Sequence, residues 1–118
     1  MRGTITTTLG VTAAVLLTLS STAAQASDYR KIHGTMGGDD LRGTTGSDLI
    51  GGRAGDDRIR PGRGADIVRA AGGDDYIFLL NDGVVDRIHC GAGRDVVAYS
   101  WSVDQHDIID PNCEGVIA

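Results

Sequence analysis

The residues of this sequence that could do chemistry are seven aspartates. Asp39, Asp48, Asp57, Asp66 and Asp75 recur every nine residues, and Asp86 and Asp95 resume the same interval after two extra residues. Each of the first five stands two residues after a glycine (Gly37, Gly46, Gly55, Gly64, Gly73) and two before an aliphatic residue (Leu41, Ile50, Ile59, Val68, Ile77). Glycine supplies the positive backbone angles of a tight turn, and aspartate tolerates turn geometry while offering a carboxylate into it. Short carboxylates beside main-chain carbonyls form the oxygen-rich surroundings that calcium prefers, with six to eight ligands. Magnesium wants a tighter octahedron and keeps its waters, so it fits such turns less well.

The elements that must position these carboxylates follow from the period. Five gapless copies, GTMGGDDLR, GTTGSDLIG, GRAGDDRIR, PGRGADIVR and AAGGDDYIF, run from Gly34 to Phe78. A fixed short period of this kind reads as a solenoid. Within each copy the three residues centred on the aliphatic one form a short strand with its central side chain inward. Strands are predicted around Asp40–Arg42, Leu49–Gly51, Arg58–Arg60, Ile67–Arg69 and Tyr76–Phe78. One copy is turn plus strand, and two copies complete a coil, so alternate strands stack into two parallel sheets. Leu79 and Leu80 break the register and predict an apolar bulge or loop. The sixth copy, NDGVVDRIH, has Val84 where glycine is expected, and the seventh, CGAGRDVVA, restores the pattern. The predicted fold is all-β, a parallel β-roll of about seven nonapeptide repeats over 34–98. A lead-in, 27–33, precedes it and a C-terminal cap, 99–118, covers its open end, as a solenoid requires.

Composition places the chain outside the cell. Met1 and Arg2, an apolar run from Val11 to Leu19 and the small-residue site Ala24-Gln25-Ala26 form a secretory signal, 1–26. The run is too short to span a bilayer, which needs about 20 apolar residues. Of the 16 acids in the 118 residues only Glu114 is not aspartate. All 16 lie beyond the signal, leaving the mature chain about 6 negative, and neither a nucleic-acid partner nor a membrane span is expected. A domain of under 100 residues with one inward aliphatic residue per repeat is marginal without staples. Cys90 and Cys113, an even pair in an exported chain, supply one as a disulfide that closes the cap. Metal supplies the other.

The metal is needed for an electrostatic reason. Stacking alternate repeats puts Asp39, Asp57 and Asp75 in one column and Asp48 and Asp66 in another, at a spacing of about 5 Å. Unit charges at that separation repel by roughly 3 kcal/mol at an effective dielectric near 20. A divalent cation between coils reverses the sign. Sites are expected between Asp39 and Asp57, Asp48 and Asp66, and Asp57 and Asp75. Asp86 and Asp95 complete the candidate set, in turns that the Leu79-Leu80 insertion separates from those of Asp66 and Asp75.

These repeats resemble G-G-x-G-x-D-x-U-x, the haemolysin-type calcium-binding repeat of the RTX family, over about Gly34 to Ala98. The resemblance implies a right-handed parallel β-roll with Ca2+ in the turns between repeats two apart, unfolded at low calcium and folded after export. The end DRIHCGAGRDVV, followed by Asp107 and Cys113-Glu114, is similar to small secreted bacterial members. The family's first glycine is kept only at Gly34, Gly43 and Gly52, and its second only at Gly62 and Gly91, which predicts strained turns elsewhere. With an N-terminal signal and no toxin domain, cytolysis is not carried over.

Competing chemistries find no support. His33, His89 and His106 with Cys90 and Cys113 match no zinc spacing, and no nucleophile-elbow, zinc-protease, phosphate-loop or EF-hand motif occurs. The reading is a non-enzymatic, secreted calcium-binding module, with an extracellular polysaccharide or protein as the partner it would hold. Its rivals are a polysaccharide-active enzyme or an adhesin using the roll as scaffold. Arg42, Arg60 and Arg69 recur at the ninth position as an exposed row, read as solvated partners for aspartate, with a grip on anionic saccharide as the alternative.

Overall fold

Three-residue stretches such as Asp40-Leu41-Arg42 and Arg58-Ile59-Arg60, apolar at the centre and charged on both sides, can bury only one side chain each. Their strands therefore gain their interior from stacking. The computed structural model describes residues 28–118, and the expected export signal lies outside them. Ten strands follow in order: β1 (Arg30–His33), β2 (Asp40–Arg42), β3 (Asp48–Gly51), β4 (Arg58–Arg60), β5 (Ile67–Gly72), β6 (Tyr76–Leu79), β7 (Arg87–Ala92), β8 (Val96–Tyr99), β9 (Ile108–Ile109) and β10 (Gly115–Ile117). All pairings are parallel, in two five-stranded sheets ordered β1-β3-β5-β7-β9 and β10-β8-β6-β4-β2. The chain is a parallel β-solenoid of about five coils. Among the described residues no helix is long and apolar enough to cross a membrane.

Register places the inward positions directly above one another. Ile32, Ile50, Val68, Ile88 and Ile109 form one column. Leu41, Ile59, Ile77, Val97 and Val116 form the other. The central members are fully buried, each contributing about 1.5–3 kcal/mol of hydrophobic stabilisation over an exposed position.

Two features differ from the sequence reading. The roll is not confined to seven nonapeptides over 34–98, because the lead-in supplies β1 and the tail supplies β9 and β10, one strand to each sheet. Nor do Leu79 and Leu80 both lie in a bulge or loop, since only Leu80 falls in the connection after β6. Leu79 prolongs β6, pairs with Tyr99 and is fully buried, because the alternation that turns Ile77 inward also turns Leu79 inward. Similar extensions of β5 and β7 bury Ala70 and Cys90. Cys90 is bonded to Cys113, 23 residues on, with Cα atoms 5.3 Å apart, which ties the tail to β7.

The second-position residues of the turns carry the strain that missing glycines imply. Arg53 and Ala71 have φ of 80° and 77°, matching Gly62 at 98° and Gly91 at 93° in equivalent places. For a residue with a Cβ this left-handed conformation costs roughly 1–2 kcal/mol.

Candidate metal centre

Each aspartate of the repeat from Asp57 onward is held by the coil before it. The Asp39 backbone N–H donates to Asp57 Oδ1 at 2.8 Å, Asp57 N–H to Asp75 Oδ1 at 2.8 Å, Asp75 N–H to Asp95 Oδ1 at 2.9 Å, and Asp95 N–H to Glu114 Oε2 at 2.8 Å. In the other column Asp48 donates to Asp66, Asp66 to Asp86 and Asp86 to Asp107, all at 2.8 Å. Two continuous ladders of amide and carboxylate thus run the length of the roll. The insertion does not separate Asp66 from Asp86 or Asp75 from Asp95. It only lengthens the sequence step from 18 residues to 20, since the extra residues are absorbed in β6 and its turn. Asp107 and Glu114 continue the ladders where sequence reasoning placed only a cap. Their steps of 21 and 19 residues hide them from a search at nine.

From Asp57 onward the ladders fill one oxygen of each carboxylate, and the turns divide over the oxygen they face. In the two turns with threonine, Thr35 N–H and Thr44 N–H donate to Asp39 Oδ2 and Asp48 Oδ2 at 2.6 Å, and both hydroxyls reach the same carboxylates. The Oδ2 atoms of Asp57, Asp66, Asp75 and Asp95 are buried and have no hydrogen-bond partner among the described residues. The residue four before each of these is Arg53, Gly62, Ala71 or Gly91, all at positive φ. The left-handed turn directs that N–H away from the carboxylate, so the aspartate keeps a free oxygen in a place water does not reach.

A buried anionic oxygen without a donor is costly, and the carboxyls show it. Burial, partly offset by the backbone N–H of the preceding coil and reinforced by neighbouring carboxylates, raises Asp66 to about 8, Asp75 to about 6 and Asp86 to about 7. Asp57, Asp95 and Asp107 are raised for the same leading reason. Asp107 also accepts the Tyr99 hydroxyl at 2.8 Å. Asp104 is lowered instead, by hydrogen bonds from the His106 backbone and ring.

Carbonyl oxygens complete the surroundings. A Cβ on Gly34 would stand 2.6 Å from the Gly52 carbonyl oxygen and 2.7 Å from Asp39 Oδ2, and one on Gly52 would collide with Asp57 Oδ2 and stand 2.7 Å from the Ala70 carbonyl oxygen. These glycines leave open a small cradle walled by a carboxylate and by a main-chain carbonyl of the next coil. Among the described residues no three side chains of His, Cys, Asp or Glu gather as a ready-made metal cage. A cation here would therefore draw on carbonyls as well as aspartates, the donor set of a hard ion such as calcium. The Oδ2 atoms without a donor and the glycine cradles both fit such an ion. His33, His89, His106 and the bonded cysteines do not converge on one.

Comparison with known proteins agrees with this geometry. Residues 33–68 and 52–82 match the model of the RTX calcium-binding nonapeptide repeat, in four copies. No curated protein matches the chain.

Proposed function

We propose, from the match of residues 33–82 to the RTX calcium-binding nonapeptide repeat, that the chain is a secreted module that folds on calcium outside the cell and serves there as a structural or binding unit. The observation that carries this reading is the row of buried, partnerless Oδ2 atoms at Asp57, Asp66, Asp75 and Asp95. Those four aspartates would hold the ions, with carbonyls of the stacked turns as co-ligands. Asp39, Asp48 and Asp86 would close the adjoining sites through the columns they share. The cation supplies charge neutralisation and crosslinks successive coils, so its binding free energy becomes folding free energy. Affinities of extracellular calcium modules lie at about 0.1–1 mM, which leaves the roll open inside a cell and closed outside it. Export through the signal at 1–26 belongs to the same reading, as does a disulfide formed in an oxidising compartment.

The test is far-UV circular dichroism of the mature chain, first in chelator and then at 2 mM calcium. The β signal is expected to appear with calcium, and 2 mM magnesium is expected to produce little of it. A full β spectrum in chelator that calcium leaves unchanged overturns the proposal.

A further inference from the structure

The outer face of the second sheet carries a feature that calcium binding does not use. On β4, Arg58 and Arg60 flank the buried Ile59, so both side chains leave the same face. Register sets Arg58 beside Asp40 on one side and Tyr76 on the other, and Arg60 beside Arg42. Arg58, Arg60 and Tyr76 line a cleft of about 250 Å³. Arg60 leans on Asp40 at 3.3 Å, as does Arg42 at 3.6 Å. The Arg58 guanidinium has no ion-pair partner among the described residues, and Tyr76 is 42% exposed. Three arginines against one aspartate make this face locally positive on a chain whose net charge is −5.

We propose that this cleft binds one acidic sugar residue of an extracellular polysaccharide, a uronate, with its ring on Tyr76 and its carboxylate between Arg58 and Arg60. Alternate residues of a strand stand about 6.8 Å apart and neighbouring strands about 4.8 Å. The two guanidiniums and the phenol therefore span roughly one pyranose ring. Guanidinium is the group that pairs with a carboxylate through two parallel hydrogen bonds, and a tyrosine face offers an apolar platform with a polar tip. Asp40 holds Arg60 in place and repels a second anion, which sets the number of carboxylates at one. The site deepens the module reading above by naming what the folded roll would hold, and it rests on that reading only in needing a folded roll.

Isothermal titration calorimetry at 2 mM calcium tests it with hyaluronan tetrasaccharide, which alternates glucuronate with a neutral sugar, against the neutral chitotetraose and against inorganic sulfate. The acidic tetrasaccharide is expected to bind, chitotetraose to bind at least tenfold more weakly, and sulfate to compete poorly. Arg58→Gln is expected to weaken the tetrasaccharide roughly tenfold and Tyr76→Ala severalfold, while Arg69→Gln leaves it unchanged, because Arg69 lies on β5 in the opposite sheet and not in one row with Arg42 and Arg60 as the recurrence suggested. Equal binding of the neutral oligosaccharide, sulfate binding as tight as the tetrasaccharide, no binding at all, or an Arg58→Gln isotherm identical to wild type each overturn the proposal. Circular dichroism of every variant in calcium and in chelator runs alongside. A roll that folds with calcium and ignores the sugar refutes only the cleft, and a roll that folds without calcium refutes only the calcium reading.

Discussion

Replacing Asp57 with asparagine should raise stability without calcium and cut the stabilisation that calcium adds. The substitution keeps an oxygen for the Asp39 N–H that Oδ1 now accepts at 2.8 Å. It turns the partnerless Oδ2 into an amide donor beside the cradle that the Ala70 carbonyl walls. Without metal, the change removes one buried charge flanked by Asp39 and Asp75 in the same column. Two such neighbours at about 5 Å repel by roughly 3 kcal/mol each at an effective dielectric near 20. Salt and partial protonation of the raised carboxyls reduce this, so a gain of about 1–3 kcal/mol in chelator is expected. Calcium opposes this gain, because Asp57 faces two gaps in its column. A site with a dissociation constant of about 0.1–1 mM adds about 0.6–1.8 kcal/mol at 2 mM ligand, and losing two subtracts about 1–4 kcal/mol from the calcium-induced stabilisation. Circular dichroism reads both, as the small folded fraction in chelator and as the gain in β signal and in urea resistance on adding 2 mM calcium. The asparagine variant should start above wild type and respond less to calcium. A shift of the same sign and size in both media would refute the reasoning, because it would make Asp57 an ordinary turn residue.

Three further outcomes are expected. The raised carboxyls give the metal-free roll an inverted pH dependence. Asp66, Asp75 and Asp86 bind protons more tightly folded than unfolded, so their contribution is full below about pH 4 and is lost as pH rises through 6 to 8. The residual β signal in metal-depleted buffer should be larger at pH 5 than at pH 8, thermal melts in calcium should run in the reverse order, and a metal-free signal largest at pH 8 would contradict the burial argument. Reducing the Cys90–Cys113 bond, which spans 23 residues, should cost about 3 kcal/mol in calcium by urea unfolding, and no change would mean that the tail holds to β7 without its staple. Ala71→Gly, at φ 77°, should gain about 0.5 kcal/mol, as relief of left-handed strain outweighs the added freedom of the unfolded chain. A loss would show that the Ala71 methyl packs in a way its exposure does not suggest.

The sequence showed the ladders only where their step is constant. The strands at Asp40–Arg42 and Arg58–Arg60 fall where the period puts them, because each rests on one inward aliphatic residue and one turn glycine, both readable locally. Asp107 and Glu114 are not readable that way. They join the columns because the amides of Asp86 and Asp95 need acceptors one coil on, a demand of stacking that is independent of the number of residues between. The Leu79-Leu80 insertion misled for the same reason. Counting residues suggests a broken column, whereas the parallel ladder fixes β6 against β8 and pushes the surplus into strand length and turn. What the sequence could least supply is the difference among the turns. Thr35 and Thr44 place an N–H on the aspartate four residues ahead, while Arg53, Gly62, Ala71 and Gly91, at positive φ, withhold it. All seven aspartates look equivalent as letters, yet Asp57, Asp66, Asp75 and Asp95 each bury an oxygen that no donor meets. The strain at Arg53 and Ala71 and the partnerless oxygens at Asp57 and Asp75 thus share one backbone origin. A divalent cation that engaged those oxygens would offset the cost of both, so the strained turns should be the ones whose geometry depends most on the ion.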